Sequence, residues 1–125
     1  MPRPYVLSCH CGAFRFEVDA ELERVGECNC STCGRYGMIS WKVPASALKL
    51  LTWTNSLTSY KWREAVGGHE FCPRCGVMLM SSGYPGDIVA VNVRCIEDID
   101  VFTLQPTRFD GRHEMPPGPL DRLSA

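Results

Sequence analysis

Long apolar runs are missing from this sequence. No segment approaches the roughly 18 consecutive apolar residues that a membrane-spanning helix needs. The opening stretch, MPRPYVLSCHCG, lacks the apolar core of a secretory signal. A cytoplasmic protein with no membrane partner is therefore expected. A basic run is missing too: the 13 Lys and Arg are spread from Arg3 to Arg122 and are matched by 14 Asp and Glu, for a formal net charge of -1. That balance argues against nucleic acid as a partner. There is no sustained 3.6-residue apolar period, which excludes a helical bundle, and no internal repeat or low-complexity linker. What is left is one domain of 125 residues with an ordinary composition, 45% apolar and 22% charged.

Cysteine, by contrast, is abundant. There are eight, and seven fall in tight groups: Cys9 with Cys11; Cys28, Cys30 and Cys33; Cys72 with Cys75. In a reducing compartment such grouping points to metal or redox chemistry rather than disulfides. Neighbouring thiolates can converge on one ion at about 2.3 Å, so the spacing favours metal.

The local patterns read as strands. AFRFEV sets Phe14, Phe16 and Val18 against Arg15 and Glu17, the alternation of a half-buried strand. ISWKV repeats it with Ile39, Trp41 and Val43. LTSYKW, VMLMSS and DIVAVNVRC are further candidates, rich in β-branched and aromatic residues. Pro44, Asn55-Ser56, Gly67-Gly68 and the stretch from Gly83 to Asp87 mark turns. One helical turn is expected at PASAL and another at CSTCGRYG. The fold class is mostly β.

CHCG and CPRCG each close with glycine directly after the last cysteine, Gly12 and Gly76. Such turns often need a positive φ, which glycine tolerates. Two knuckles facing each other would supply four thiolates, Cys9, Cys11, Cys72 and Cys75, in a closed tetrahedral zinc site. Cys28, Cys30 and Cys33 are then left one ligand short. Cys95 could complete a second four-thiolate site, but it lies in phase with Val89, Val91 and Val93 on an apolar strand face and reads better as a small buried hydrophobe. His10 sits inside the first knuckle, His69 precedes the third group and His113 lies near the end; none is spaced to serve. Three protein ligands with an exchangeable fourth position is the rule for catalytic zinc. Three thiolates favour binding a soft thiol there over hard water chemistry.

SCHCGAFRFEV, CNCSTCGRYG, HEFCPRCGVML and VNVRCIEDID occur in this order and at about these separations in the glutathione-dependent formaldehyde-activating enzyme family, which also contains centromere protein V. The sequence resembles that family from Ser8 to about Gly111. The resemblance implies an Mss4-like fold, small coiled β-sheets organised around zinc. It implies a structural Zn²⁺ at Cys9, Cys11, Cys72 and Cys75 and a second, catalytic Zn²⁺ at Cys28, Cys30 and Cys33. It further implies a carbon–sulfur lyase, an S-(hydroxymethyl)glutathione synthase that adds a small thiol such as glutathione to an aldehyde such as formaldehyde.

Some positions depart from the family pattern. Asn29 stands where many members carry histidine, and Gly34 where a basic residue is frequent, with Arg35 displaced by one. Arg35 could meet a substrate carboxylate, Tyr36 could line a pocket, Trp41 reads as core and Arg74 as surface. The expected organisation is a zinc domain over residues 1–111 and a surface or partly disordered tail over 112–125, with a homodimer plausible through exposed strand edges. The alternative is a non-catalytic, zinc-stapled protein-binding module. A fourth protein ligand at the second zinc would mark it.

Overall fold

A computed structural model describes residues 3–52, 57–61 and 68–114. The turn expected at Asn55-Ser56, the end of LTSYKW at Trp62, Gly67, and the tail from residue 115 lie outside the described residues. Among these residues, ten short strands form two sheets. The smaller has three strands in the order β1 (Tyr5–Ser8), β2 (Arg15–Val18) and β5 (Leu48–Thr52). The larger has seven, in the order β10 (Thr107–Phe109), β3 (Gly26–Cys28), β4 (Ile39–Pro44), β9 (Ile88–Asn92), β8 (Met78–Tyr84), β7 (His69–Phe71) and β6 (Thr58–Tyr60). All pairings are antiparallel except β10 with β3. Helical segments are brief: α1 (Ser31–Tyr36), α2 (Gly111–Glu114) and three 3-10 turns.

The alternation in β2 and β4 does what it suggested. Phe16 and Val18 from the smaller sheet and Ile39, Trp41 and Val43 from the larger are all buried in one core with Leu7, Leu79 and Val91. Trp41 meets Tyr5 of the other sheet edge-on, with ring centroids 5.5 Å apart, and its indole N–H donates to the Glu21 carbonyl at 3.0 Å. It is core, as its phase implied. Each such side chain contributes roughly 1.5–3 kcal/mol by leaving water, and the two sheets share that gain.

One expected strand is shorter than its pattern. DIVAVNVRC leaves the sheet at Asn92, and Val93–Cys95 form a 3-10 turn. The Asn92 side chain causes this: its oxygen accepts from the Arg94 N–H at 3.1 Å while its amide donates to the Met78 carbonyl at 2.8 Å. Val93 and Cys95 stay buried all the same. The PASAL turn is a 3-10 turn, Ala45–Ala47.

Candidate metal centres

The two CxC and CxxC loops fold alike. Cys9 N–H donates to the Phe14 carbonyl at 3.1 Å, and Cys72 N–H donates to the Val77 carbonyl at 3.0 Å. Gly12 and Gly76 then return to the carbonyls of Cys9 and Cys72 at 3.1 and 2.8 Å. Both glycines have positive φ, +79° and +77°, as the motifs required. Backbone N–H groups aim at the sulfurs: Phe14 at Cys9 and Arg74 at Cys72, each at 3.4 Å.

One loop joins β1 to β2 and the other joins β7 to β8, so the cluster they form bridges the two sheets. The sulfurs of Cys9, Cys11, Cys72 and Cys75 all lie within 4.8 Å of one another. Cys9 to Cys11 and Cys11 to Cys72 are each 3.7 Å. An ion about 2.3 Å from each of four sulfurs in a tetrahedron would separate them by about 3.8 Å, so the donor set fits a soft divalent metal. The thiols do not share charge evenly. The Ala13 N–H favours Cys11 thiolate, but desolvation and the thiols of Cys72, Cys9 and Cys75 push Cys11 up to about 11. Burial raises Cys75, yet the N–H groups of Val77 and Cys11 and the neighbouring thiols bring it down to about 6.

The second cluster is local. Cys28 ends β3, Cys30 is the N-cap of α1, and Cys33 lies in its first turn. Cys30 has extended backbone, φ -62° and ψ 169°, and its sulfur accepts from the Cys33 N–H at 3.3 Å. The same sulfur that caps the helix is thereby fixed beside those of Cys28 and Cys33. Cys30 N–H donates to Cys28 at 3.4 Å. The helix stops at Gly37, left-handed at φ +67°, whose N–H returns to the Cys33 carbonyl at 2.9 Å.

The three sulfurs of this cluster also lie within 4.8 Å of one another, and among the described residues no fourth Cys, His, Asp or Glu joins them. Cys30 is drawn down to about 4, chiefly by the Cys33 thiol that donates to it and by the Cys33 and Thr32 N–H groups, against the cost of burial. Cys33 is pushed up by donating to Cys30, by burial and by the charges of Cys30 and Cys28. Burial likewise raises Cys28, over the N–H groups of Cys30 and Gly111. Crowding thus favours thiolate at one sulfur and disfavours it at its neighbours, whereas a divalent cation favours the thiolate at every sulfur it binds.

The other candidates fall into place around these clusters. Cys95 is buried, and its thiol faces the Met78 carbonyl at 3.6 Å; its electrostatic neighbours are Cys9 and Cys75 of the first cluster. Burial and those two thiols push it up to about 12. It is not part of the second site. His10 is exposed within its loop. His69 stacks on Tyr36, with centroids 5.6 Å apart, and Tyr36 itself is raised by burial and by Tyr60 and Cys33. Tyr36 packs against a small apolar cluster with Met38 and Met78. Arg35 spends a guanidinium N–H on the Ser31 carbonyl at 2.8 Å. His113 pairs with Asp110 at 2.8 Å.

An open cleft of about 350 Å³ adjoins the triad, lined by Glu27, Cys28, Asn29, Arg108, Phe109 and Asp110. A larger one, about 620 Å³ around Arg3, Glu17 and Lys49, contains no cysteine and is remote from this chemistry. The contribution of Arg108, Phe109 and Asp110 escapes the cysteine spacing altogether. It follows from the parallel pairing that sets Phe109 opposite Cys28.

The mostly β architecture with cysteine clusters able to hold zinc is that of an Mss4-like fold. The family model described as glutathione-dependent formaldehyde-activating enzyme matches residues 4–110. Among solved structures, the chain is similar to a Rhodobacter sphaeroides protein known from its crystal structure. The two are 27% identical with a TM-score of 0.72, over 82% of this chain and 97% of that one.

Proposed function

This chain belongs to the glutathione-dependent formaldehyde-activating enzyme family, and from that premise we propose that it is a zinc-dependent carbon–sulfur lyase that joins a small thiol such as glutathione to an aldehyde such as formaldehyde. The observation that carries this reading is the incomplete triad of Cys28, Cys30 and Cys33 beside an open cleft. A binding module stapled by two closed zinc sites would need a fourth ligand there. Cys9, Cys11, Cys72 and Cys75 hold the structural zinc in this reading, and Cys28, Cys30 and Cys33 hold the catalytic one. A zinc ion with three thiolate ligands offers its remaining position to a substrate thiol and lowers that thiol's pKa.

The chain's own residues then have distinct tasks. The N–H groups of Cys33 and Cys30 fix the sulfurs of Cys30 and Cys28. The cleft offers Arg108 beside Glu27 and Asp110, a mixed-charge lining that suits a zwitterionic thiol such as glutathione. The reaction is an addition: the thiolate sulfur forms a bond to the carbonyl carbon, the C=O π pair moves to oxygen, and the alkoxide takes a proton from water. The proton that the thiol gives up on ionising goes to solvent, so the sum is thiol plus aldehyde to the S-hydroxymethyl hemithioacetal, and the reverse reaction follows the same course.

The reduced thiols fit a cytoplasmic setting. The exposed edge strand β6 supports pairing with a second copy as a homodimer. The test is exchange NMR on ¹³C-formaldehyde with glutathione, comparing wild type with Cys30→Ser. Wild type should raise the rate of S-hydroxymethylglutathione formation above the uncatalysed exchange and Cys30→Ser should not. Equal rates with no protein, wild type and mutant would overturn the reading.

A further inference from the structure

Asn29 lies between two candidate metal ligands, yet its side chain points to neither. Its amide N–H₂ donates to the Asp110 carboxylate at 2.9 Å, and its oxygen accepts from the Arg112 backbone N–H at 2.8 Å. Its own backbone N–H donates to the Phe109 carbonyl at 3.4 Å. One residue thus grips the chain from Phe109 to Arg112 at three points. At the centre of that grip, Phe109 lies opposite Cys28 in the parallel pairing of β10 with β3, and the Gly111 N–H favours the Cys28 thiolate. The far side of the strap is closed by Asp110, which also accepts from the His113 ring at 2.8 Å and from the His113 and Glu114 N–H groups at 3.3 and 3.1 Å. Among the described residues, the regular structure in this segment is the three-residue strand β10 and the single turn of α2 that follows it. An asparagine, with one donor arm and one acceptor arm, is the side chain that can hold a carboxylate and a backbone N–H at once.

We propose that Asn29 is a positioning residue for the second cysteine cluster, which clamps the Asp110–Arg112 strap so that β10 stays in register beside Cys28 and the strap forms one wall of the cleft. Neither Asn29 nor Asp110 belongs to the candidate donor set. They act through Cys28, as partners outside a ligand set orient the ligands and tune their donor strength. The clamp belongs to the second site alone, because the first cluster takes its N–H donors from within its own loops. This inference rests on the reading that Cys28, Cys30 and Cys33 hold a metal.

The experiment is zinc competition against a chromophoric chelator on the full chain, with amide hydrogen exchange over residues 109–114. Asn29→Ala should weaken the second zinc equivalent about 10–100-fold, leave the first unchanged, and speed exchange at Gly111 and Arg112. Asp110→Ala leaves the Arg112 contact in place and should show the same pattern more weakly, so it decides the matter if Asn29→Ala does not fold. Second-equivalent affinity equal to wild type in both variants, or equal weakening of both equivalents, would overturn the proposal. A wild-type protein that takes up only one equivalent would instead remove the underlying reading of the triad.

Discussion

The two cysteine clusters use the same chemistry in opposite structural roles. The first is assembled from loops that are remote in sequence and belong to different sheets, and Cys11 and Cys72 meet across 61 residues. Closing it fastens the fold. The second is assembled within six residues of one strand–helix junction at the side of the larger sheet. Its sulfurs would stay near each other even if the sheets parted. A four-thiolate site that spans the molecule is suited to stability. A three-thiolate site that hangs from one junction, beside a cleft, can change its ligand without disturbing anything else.

That difference ranks the effects of substitution. Cys72→Ser removes a fully buried candidate ligand of the bridging cluster. A structural zinc of this kind is worth about 10–16 kcal/mol of folding free energy, as much as the whole stability of a typical domain. Loss of cooperative thermal unfolding by circular dichroism is expected, and a folded, cooperative Cys72→Ser protein would make the two clusters equivalent. Cys30→Ser should drop zinc from two equivalents to one while the melting transition survives, since serine is itself a good helix N-cap.

Glycine substitutions carry the comparison to smaller effects. Gly76→Ala forces a side chain into φ +77° and should cost of order 1 kcal/mol, within the 1–3 kcal/mol typical of such strain, in denaturant unfolding. Gly34→Ala, inside α1 with the Asn29 carbonyl at an ordinary 3.6 Å from the added carbon, should stabilise by about 0.4–1 kcal/mol. Cys95→Ala should have the least effect on metal: two equivalents retained by metal analysis, with stability lowered by about 1 kcal/mol for a small cavity and a lost weak S–H contact. A fall to one equivalent would make Cys95 a ligand after all.

Much of this was readable in the residues, and the rest was hidden for physical reasons. The cysteine spacing partitions the thiols, and a glycine after each knuckle announces the positive φ found at Gly12 and Gly76. Strands with one buried face, β2 and β4, show their period. The strands β3, β5 and β10 do not, because their residues are half-buried or exposed and leave no apolar alternation to see. The exit of the chain from the sheet at Asn92 was masked because Ala90, Val91, Asn92 and Val93 are all buried, so a period-two pattern carries no information there. The Asn29–Asp110 contact spans 81 residues and depends on a parallel register that no local motif encodes.

The most direct test of an open second site is cobalt spectroscopy on protein carrying zinc in the first cluster and cobalt in the second, titrated with glutathione. A saturable change in the cobalt–thiolate absorption, absent in Cys30→Ser protein, is expected if a substrate thiol takes the fourth position. A spectrum that glutathione leaves unchanged, with four-coordinate features from the start, would contradict it and make the second cluster another closed staple.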